Sequence, residues 1–205
     1  MLMNFDELIF KYDLKIRGVI HIGAHYGQEY AEYVKFNIKD ILFFEPLKEN
    51  FKILSQNIKL TDSIKLYNIA LGNIEGEIEM FVETANQGMS SSILEPDVVL
   101  TQYPYIKFDN KELVKINKLD NIVYDREKYN FINIDVQGYE LEVFKGAINS
   151  LKYIDYIMTE INNAHIYKDC PLEDEIDSFL LNFGFVRVET YWAGVTWGDA
   201  LYIKK

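Results

Sequence analysis

The sequence predicts a single α/β domain over residues 1–205, a doubly wound, Rossmann-like and mostly parallel sheet that closes with an antiparallel hairpin. Three observations carry this. Short apolar runs alternate with amphipathic helical stretches, the βαβ rhythm of a parallel sheet with helices on both faces. A length of 205 residues suits one domain, at ~100–200 residues each. The last two strand-like runs follow one another without a helix between them.

Residues 1–16 read as a short N-terminal helix and lead-in, with Asn4 and Glu7 as a capping box and Phe5, Leu8, Ile9 and Tyr12 as the apolar side. Gly18–Ile22 (GVIHI) is a short, largely apolar run and a buried strand candidate. A helix bearing Tyr30, Tyr33 and Val34 follows. Ile41–Phe44 (ILFF) is the second strand, stopped by Glu45-Pro46. Leu47, Phe51, Leu54 and Ile58 recur at i, i+4, i+7 and i+11, one face of a helix. Ser63–Leu71 reads as the third strand, and Ile74–Val82 alternates as a half-exposed strand does. Residues 84–110 are irregular, with Gly88, Ser90, Ser91, Ser92, Pro96 and Pro104; a loop of that length in a compact domain is usually functional. Phe131–Asp135 (FINID) is another buried strand, followed by a helix with Leu141, Phe144 and Ile148. Tyr153–Glu160 is the next strand. Pro171–Phe183 is a helix with Leu172, Ile176, Phe179, Leu180 and Phe183 on its apolar face, closed by Gly184. Phe185–Tyr191 and Ala200–Lys204 are the final pair of strands.

Lys and Arg number 21 and Asp and Glu 32, a net charge of −11. Nucleic-acid affinity comes mainly from basic neutralisation of phosphates, so this balance argues against a nucleic-acid partner. It also argues against docking on an anionic membrane. No apolar run approaches the ~20 residues of a membrane helix, so no membrane insertion is expected. The N-terminal stretch places acids among its apolar residues and lacks a small-residue cleavage site, so it does not read as a signal peptide. The single cysteine, Cys170, excludes an intrachain disulfide and points to a reducing, cytoplasmic setting. Alone, it gives no Cys/His spacing for zinc.

Ligands of open parallel sheets bind at the carboxyl ends of the strands, near the switch in strand order. After the first strand come Gly23, Ala24, His25 and Gly27: a glycine for a sharp turn and close backbone approach, and another at the opening of the helix. After the second comes Glu45, 22 residues beyond Gly23, placed to accept both hydroxyls of a ribose. Together these point to an adenosine-containing cofactor. NAD and S-adenosylmethionine both fit the outline. The NAD fingerprint needs a glycine where His25 stands, to admit the pyrophosphate, and the chain lacks a separate substrate domain; both points favour S-adenosylmethionine.

Nearly the whole chain, from about Gly18 to Ile203, resembles the FkbM family of class I methyltransferases. The matching pieces, in order, are GVIHIGAHYGQE (18–29), FFEPLKENFKIL (43–54), NIALGN (68–73), KLDNI (118–122), INIDVQGYELEVFKGA (132–147), TEIN (159–162) and WGDALYI (197–203). The resemblance implies a seven-stranded sheet of the class I type, S-adenosyl-L-methionine as cofactor, and O-methylation of a sugar or secondary metabolite. It implies that Gly23, Ala24 and Gly27 wrap the methionine part, Glu45 holds the ribose, and Asn68, Ile69, Ala70 and Leu71 contact the adenine, with His25 and Pro46 also cofactor-binding. Asp135 then lies beside the cofactor's methionine end and the substrate; its plainer role would be a helix N-cap. The sequence departs from the family at His21, where an acid is usual, at His25 for Asn, and at Gln137 for Glu.

A sugar hydroxyl is a poor nucleophile, so a base or a metal must help remove its proton. The candidate bases are Asp135, Glu160 and His165; histidine has an ordinary pKa of ~6.5. A divalent cation (Mg or Mn) is the other option, with Asp135, Glu160 and Asn162 offering hard oxygen ligands in a layout similar to that of catechol-type methyltransferases. Tyr103, Tyr105, Tyr191, Trp192 and Trp197 lie outside the helical faces and suit stacking on a sugar, or else core filling. The leading expectation is an O-methyltransferase for a sugar or glycoconjugate acceptor, such as a deoxysugar like rhamnose. Alternatives are a polyketide or other small-metabolite acceptor, a non-catalytic cofactor-binding module, and a dehydrogenase.

Overall fold

The computed structural model describes residues 2–205. Helix α1 (Phe5–Tyr12) starts as expected, with Asn4 Oδ1 accepting the Glu7 N–H at 3.2 Å. Strand β1 (Gly18–Ile22), α2 (Tyr30–Lys35), β2 (Asp40–Phe44), α3 (Lys48–Asn57) and β3 (Ile64–Tyr67) then form the first βαβαβ unit. Next come β4 (Ala70–Leu71), β5 (Gly76–Val82), α4 (Val98–Gln102), β6 (Asn110–Asn117) and α5 (Leu119–Ile122). The last third contains β7 (Phe131–Ile134), α6 (Glu140–Lys145), β8 (Tyr156–Asn162), α7 (Glu173–Leu181), β9 (Phe185–Trp192) and β10 (Trp197–Lys204).

The main sheet has seven strands in the order β3-β2-β1-β7-β8-β10-β9. It is parallel up to β8, and β10 runs antiparallel to both β8 and β9. Period-2 alternation sorts the strand residues onto two faces. Ile20, Ile22, Leu42, Phe44, Ile132 and Ile134 pack on one side with α6 and α7, while Val19, Ile41, Phe43 and Phe131 pack on the other with α1 and α2. On that second face Phe5 meets Tyr33, Phe36 and Phe131 edge-on, at centroid distances of 5.5–5.8 Å.

Three details differ from the sequence reading. The predicted strand over 63–71 is two strands: β3 stays in the main sheet, and β4 joins β5 and β6 in a second, three-stranded sheet. Asn68 marks the break, its amide donating to the carbonyls of Glu45 and Pro46 at 2.9 Å each. β6 was not foreseen, because alternation over NKELVKIN places only Val114 and Ile116 inside. In α2 the buried residue is Tyr33, whereas Val34 is exposed.

Candidate active site

The strand order reverses at β1, whose neighbours are β2 and β7, so the chain turns following β1 and β7 diverge and leave a crevice. Gly23 sits at its floor with φ +77°, and a Cβ there would fall 1.9 Å from the Asp135 carbonyl oxygen. Only glycine allows this approach. The N–H groups of Gly23 and Ala24 both donate to the Phe44 carbonyl, at 3.0 and 2.9 Å, and Asp135 N–H donates to the Ile22 carbonyl at 3.1 Å. These bonds bring the ends of β1, β2 and β7 to one point.

A cleft of about 550 Å³ opens there. Gly23, His25, Glu45, Pro46, Ala70, Leu71 and Asp135, all assigned to the cofactor in the sequence analysis, line it. Ile69, Met80 and Ile93 make part of the wall apolar. Glu45 is buried; its Oε2 accepts the His25 N–H and its Oε1 the Leu47 N–H, each at 2.9 Å. Burial outweighs these bonds and pushes its carboxyl up to about 7. The Asn50 side chain is a third donor to this carboxyl, which leaves about one lone pair for a ligand hydroxyl. Ala24 lines an adjoining hollow with His21, Gln28, Glu29 and Asp135. Gly27 lines neither. Its φ of +77° and the 2.8 Å separation between a Cβ there and Leu54 Cδ1 make it a packing glycine under α3.

His21 belongs to a buried polar chain. Its Nδ1 lies 3.2 Å from the Tyr33 hydroxyl, which accepts from Asn133 Nδ2 at 2.7 Å. Its Nε2 is 3.9 Å from Glu29 Oε2. Burial pushes the imidazole pKa down, so the ring is neutral. His25 has a different task. Gln28 Nε2 donates to its Nδ1 at 2.8 Å, so the ring proton sits on Nε2 and bonds to the Gln87 carbonyl at 2.8 Å. This ties the 85–91 loop over the cleft. Buried Glu83 holds the loop from the other side, its carboxylate accepting the N–H groups of Ala85, Asn86 and Gly88.

A second cleft, of about 790 Å³, shares Asp135, Gln137 and Met89 with the first. Tyr103, Tyr105, Tyr167, Trp197, Glu160 and Asp199 line it. At the junction the Gln137 amide donates to Asp135 Oδ1 at 2.7 Å and to Glu160 Oε2 at 2.9 Å. The Tyr167 hydroxyl, 2.9 Å from Gln137 Oε1, and the Ser92 hydroxyl, 2.6 Å from the Gln137 carbonyl, fix the residue at φ 56°. Burial, followed by Asp135, Glu140 and Asp199, pushes the Glu160 carboxyl well above its ordinary range. Asp199 is raised too, mainly by burial.

Several expectations change here. Asp135 makes no helix cap; Glu140 Oε1 instead accepts the N–H groups of Val136 and Gly138, at 3.1 and 3.2 Å. His165 is exposed, bonded through Nδ1 to the Cys170 carbonyl at 2.7 Å, and lines neither cleft. Tyr191 and Trp192 are exposed and lie apart from both clefts, whereas Tyr103, Tyr105 and Trp197 are in the second. The oxygen set Asp135, Glu160 and Asn162 does not form an open triad, because the Gln137 amide lies between the two carboxyls and Asn162 Nδ2 points at Glu160 Oε1, 3.5 Å away. Among the described residues no group of three or more His, Cys, Asp or Glu is arranged to hold a metal ion. Tyr167, Asp199 and the bridging role of Gln137 had no separate signal in the sequence: their importance comes from contacts between distant segments.

The cleft fits an adenosine cofactor: a glycine cradle that any Cβ would fill, a buried carboxyl with room for a further donor, and an apolar wall. The comparisons with known proteins agree. The family model described as the methyltransferase FkbM domain matches residues 21–187. The 2-O-methyltransferase NoeI of Sinorhizobium fredii (strain NBRC 101917 / NGR234) is 26% identical over 181 residues, covering 82% of this chain and 74% of NoeI. Among solved structures, Streptococcus pneumoniae Sp1610 in complex with S-adenosyl-L-methionine, a candidate tRNA (m1A22) methyltransferase, aligns with TM-score 0.56 and 12% identity over 100% of this chain and 73% of its own. Magnesium protoporphyrin IX methyltransferase (ChlM) from Synechocystis PCC 6803, with bound SAM, aligns with TM-score 0.51 and 9% identity over 91% of this chain and 69% of its own. At such identities the two structures speak for the fold alone. The family match covers most of the chain, and on it the protein belongs to the FkbM methyltransferases and is an S-adenosylmethionine-dependent methyltransferase.

Proposed function

We propose that the protein methylates a hydroxyl of a sugar, with the cofactor in the first cleft and the acceptor in the second. The observation that carries this reading is that Asp135 lines both clefts. S-adenosylmethionine supplies an electrophilic methyl group on a positively charged sulfur. The backbone of Gly23, Ala24 and His25 shapes the crevice for it, Glu45 accepts the ribose hydroxyls, and Pro46, Ile69, Ala70 and Leu71 enclose the adenine. Asp135 takes the proton of the acceptor hydroxyl as the new O–CH₃ bond forms. Glu160 is not the base in this reading: it stands across the Gln137 amide from Asp135, and burial pushes its carboxyl well above the ordinary range. Its part is to orient Asp135 through Gln137. His165 has no part in this arrangement.

The sugar assignment is supported by Tyr103, Tyr105 and Trp197, which offer ring faces beside carboxyl acceptors. NoeI, by its name a 2-O-methyltransferase, supports oxygen as the methylated atom. A hydroxylated small metabolite is the second reading, favoured by the apolar Val99, Ile106 and Ile166 in the same cleft. No described helix is long and apolar enough to cross a membrane. A cytoplasmic setting without a nucleic-acid partner belongs to the proposal, supported by the buried free thiol of Cys170 and the net charge of −11. The test is a methyl-transfer assay against free and glycosidically linked deoxysugars, with mass detection of the added methyl. Methylation of a sugar hydroxyl is the expected result. Transfer confined to non-carbohydrate hydroxyls would overturn the sugar reading and leave the methyltransferase standing.

A further inference from the structure

The charges around the acceptor cleft select among sugars, an inference that rests on the carbohydrate reading of that cleft. Asp135, Glu160 and Asp199 line it, and among the described residues no Lys or Arg lines it or the cofactor cleft. Lys168, next to Tyr167 in the chain, pairs with Glu95 and lines neither. The field of the whole chain, at −11, has the same sign. We propose that the cleft takes an uncharged sugar and turns away anionic ones, so that methylation acts on a sugar already joined in a glycoside and not on a nucleotide-linked one.

Two features of the site lead there. First, a carboxylate or phosphate entering this partly desolvated, acidic cleft meets charge of its own sign and finds no cation to pair with. A uronic acid carries its carboxylate on the ring carbon next to the ring oxygen. A nucleotide-linked sugar carries a diphosphate on the anomeric carbon, within one ring's width of any hydroxyl being methylated. Second, neutral donors already answer the three carboxyls. The Gln137 amide serves Asp135 and Glu160, and the N–H groups of Leu2 and Met3 serve Asp199. Among the described residues, then, each of the three carboxyls already has a hydrogen-bond donor and does not call for an ammonium group. The cleft offers spare lone pairs, which suit the hydroxyl donors of a neutral sugar ring. The reaction that supplies such a substrate is glycosyl transfer, which removes the nucleotide diphosphate before the methyl is added.

The experiment compares matched acceptors: neutral methyl glycosides of several hexoses and 6-deoxyhexoses, the corresponding methyl uronates as free acids, the amino sugars, and the nucleoside-diphosphate sugars. Methyl transfer is followed by mass, and binding of the demethylated cofactor product confirms that each sample is folded. The expected result is kcat/KM at least ~10²-fold higher for a neutral glycoside than for its uronate or nucleotide-linked partner. An anionic partner within tenfold of the neutral one, or an amino sugar preferred over it, overturns the proposal while leaving sugar methylation intact. Failure of every sugar, with cofactor product still bound, overturns the carbohydrate reading and this proposal together. Asp199→Asn, which retains an oxygen acceptor for the backbone, should narrow the neutral-to-uronate ratio. An unchanged ratio would show that these carboxyls are not the source of the selection.

Discussion

With Glu45 at the ribose, as proposed, cofactor affinity should depend on pH. In the free protein its buried carboxyl is pushed up to about 7 by burial, against the smaller opposing pull of the Leu47 and His25 N–H groups. Ribose hydroxyls donate hydrogen bonds, so they favour the ionised form, and binding draws the carboxyl back toward its ordinary ~4.3. At pH 8 the group is already ionised and binding releases about 0.1 proton; at pH 6 it releases about 0.9. Affinity for S-adenosylhomocysteine should then be about tenfold weaker at pH 6 than at pH 8. Titration calorimetry in two buffers of different ionisation heat reads both the affinity and the proton. Glu45→Gln should abolish the part of the slope that this carboxyl carries. It should also weaken binding at pH 8 by about 1.5–3 kcal/mol, the usual loss for hydrogen bonds to a charged group. Equal affinity at pH 6 and 8 without proton release, or an identical slope in Glu45→Gln, would refute the reasoning.

The same raised carboxyls set the pH dependence of stability without cofactor. Glu45 and Glu140 both stand above their unfolded values, so their stabilisation is full below the ordinary carboxylate range and is lost as pH rises through about 7. Urea denaturation should show the cofactor-free protein weakening from pH 5 to pH 8, less steeply in Glu140→Gln; a flat profile would count against the burial argument. Asp135→Asn should lower turnover by ~10²–10⁴-fold at saturating cofactor, and full activity would remove Asp135 as the base. In Gln137→Glu, two N–H donors give way to a third carboxyl, so turnover should fall with little change in cofactor affinity, and the pH–rate profile should shift. A parallel loss of cofactor binding would mark a merely structural role. Gly23→Ala should cost about 2–4 kcal/mol in stability, from the positive φ and the contact with the Asp135 carbonyl; an unchanged melting temperature would contradict that geometry.

The charge on the cofactor fits an acidic site. Asp135, Glu140, Glu160 and Asp199 influence one another, and burial drives the last three upward. Such a cluster is costly when it faces nothing but its own members. With the methyl donor placed as proposed, its cationic sulfur beside Asp135 would relieve part of that cost, and the neutral thioether left after transfer would not. On that placement the charged methyl donor should bind more tightly than the spent product, which calorimetry with each ligand would check.

What could be read from the sequence was whatever is local. The turn at Gly23 and the acid Glu45 announce themselves because a strand end, a glycine and a following helix are consecutive in the chain, and βαβ spacing fixes which strand ends become neighbours. The split of residues 63–71 was hidden because Asn68 acts through its side-chain bonds to Glu45 and Pro46, more than 20 residues away. His165 was attractive as a residue type, but its place is set by the turn to Cys170, which holds it away from the clefts. The acceptor side was the least legible part. Tyr167 and Ser92 come from loops 75 residues apart, and they matter only because both bond to Gln137. The substitution at position 137 was visible as a departure from the family. Its consequence was not, because a single amide can link Asp135 to Glu160 only once β7 and β8 lie side by side. Sequence patterns report the scaffold that brings carboxyls together. Which carboxyl keeps its proton depends on burial and on the one donor between them, and those are properties of the folded chain.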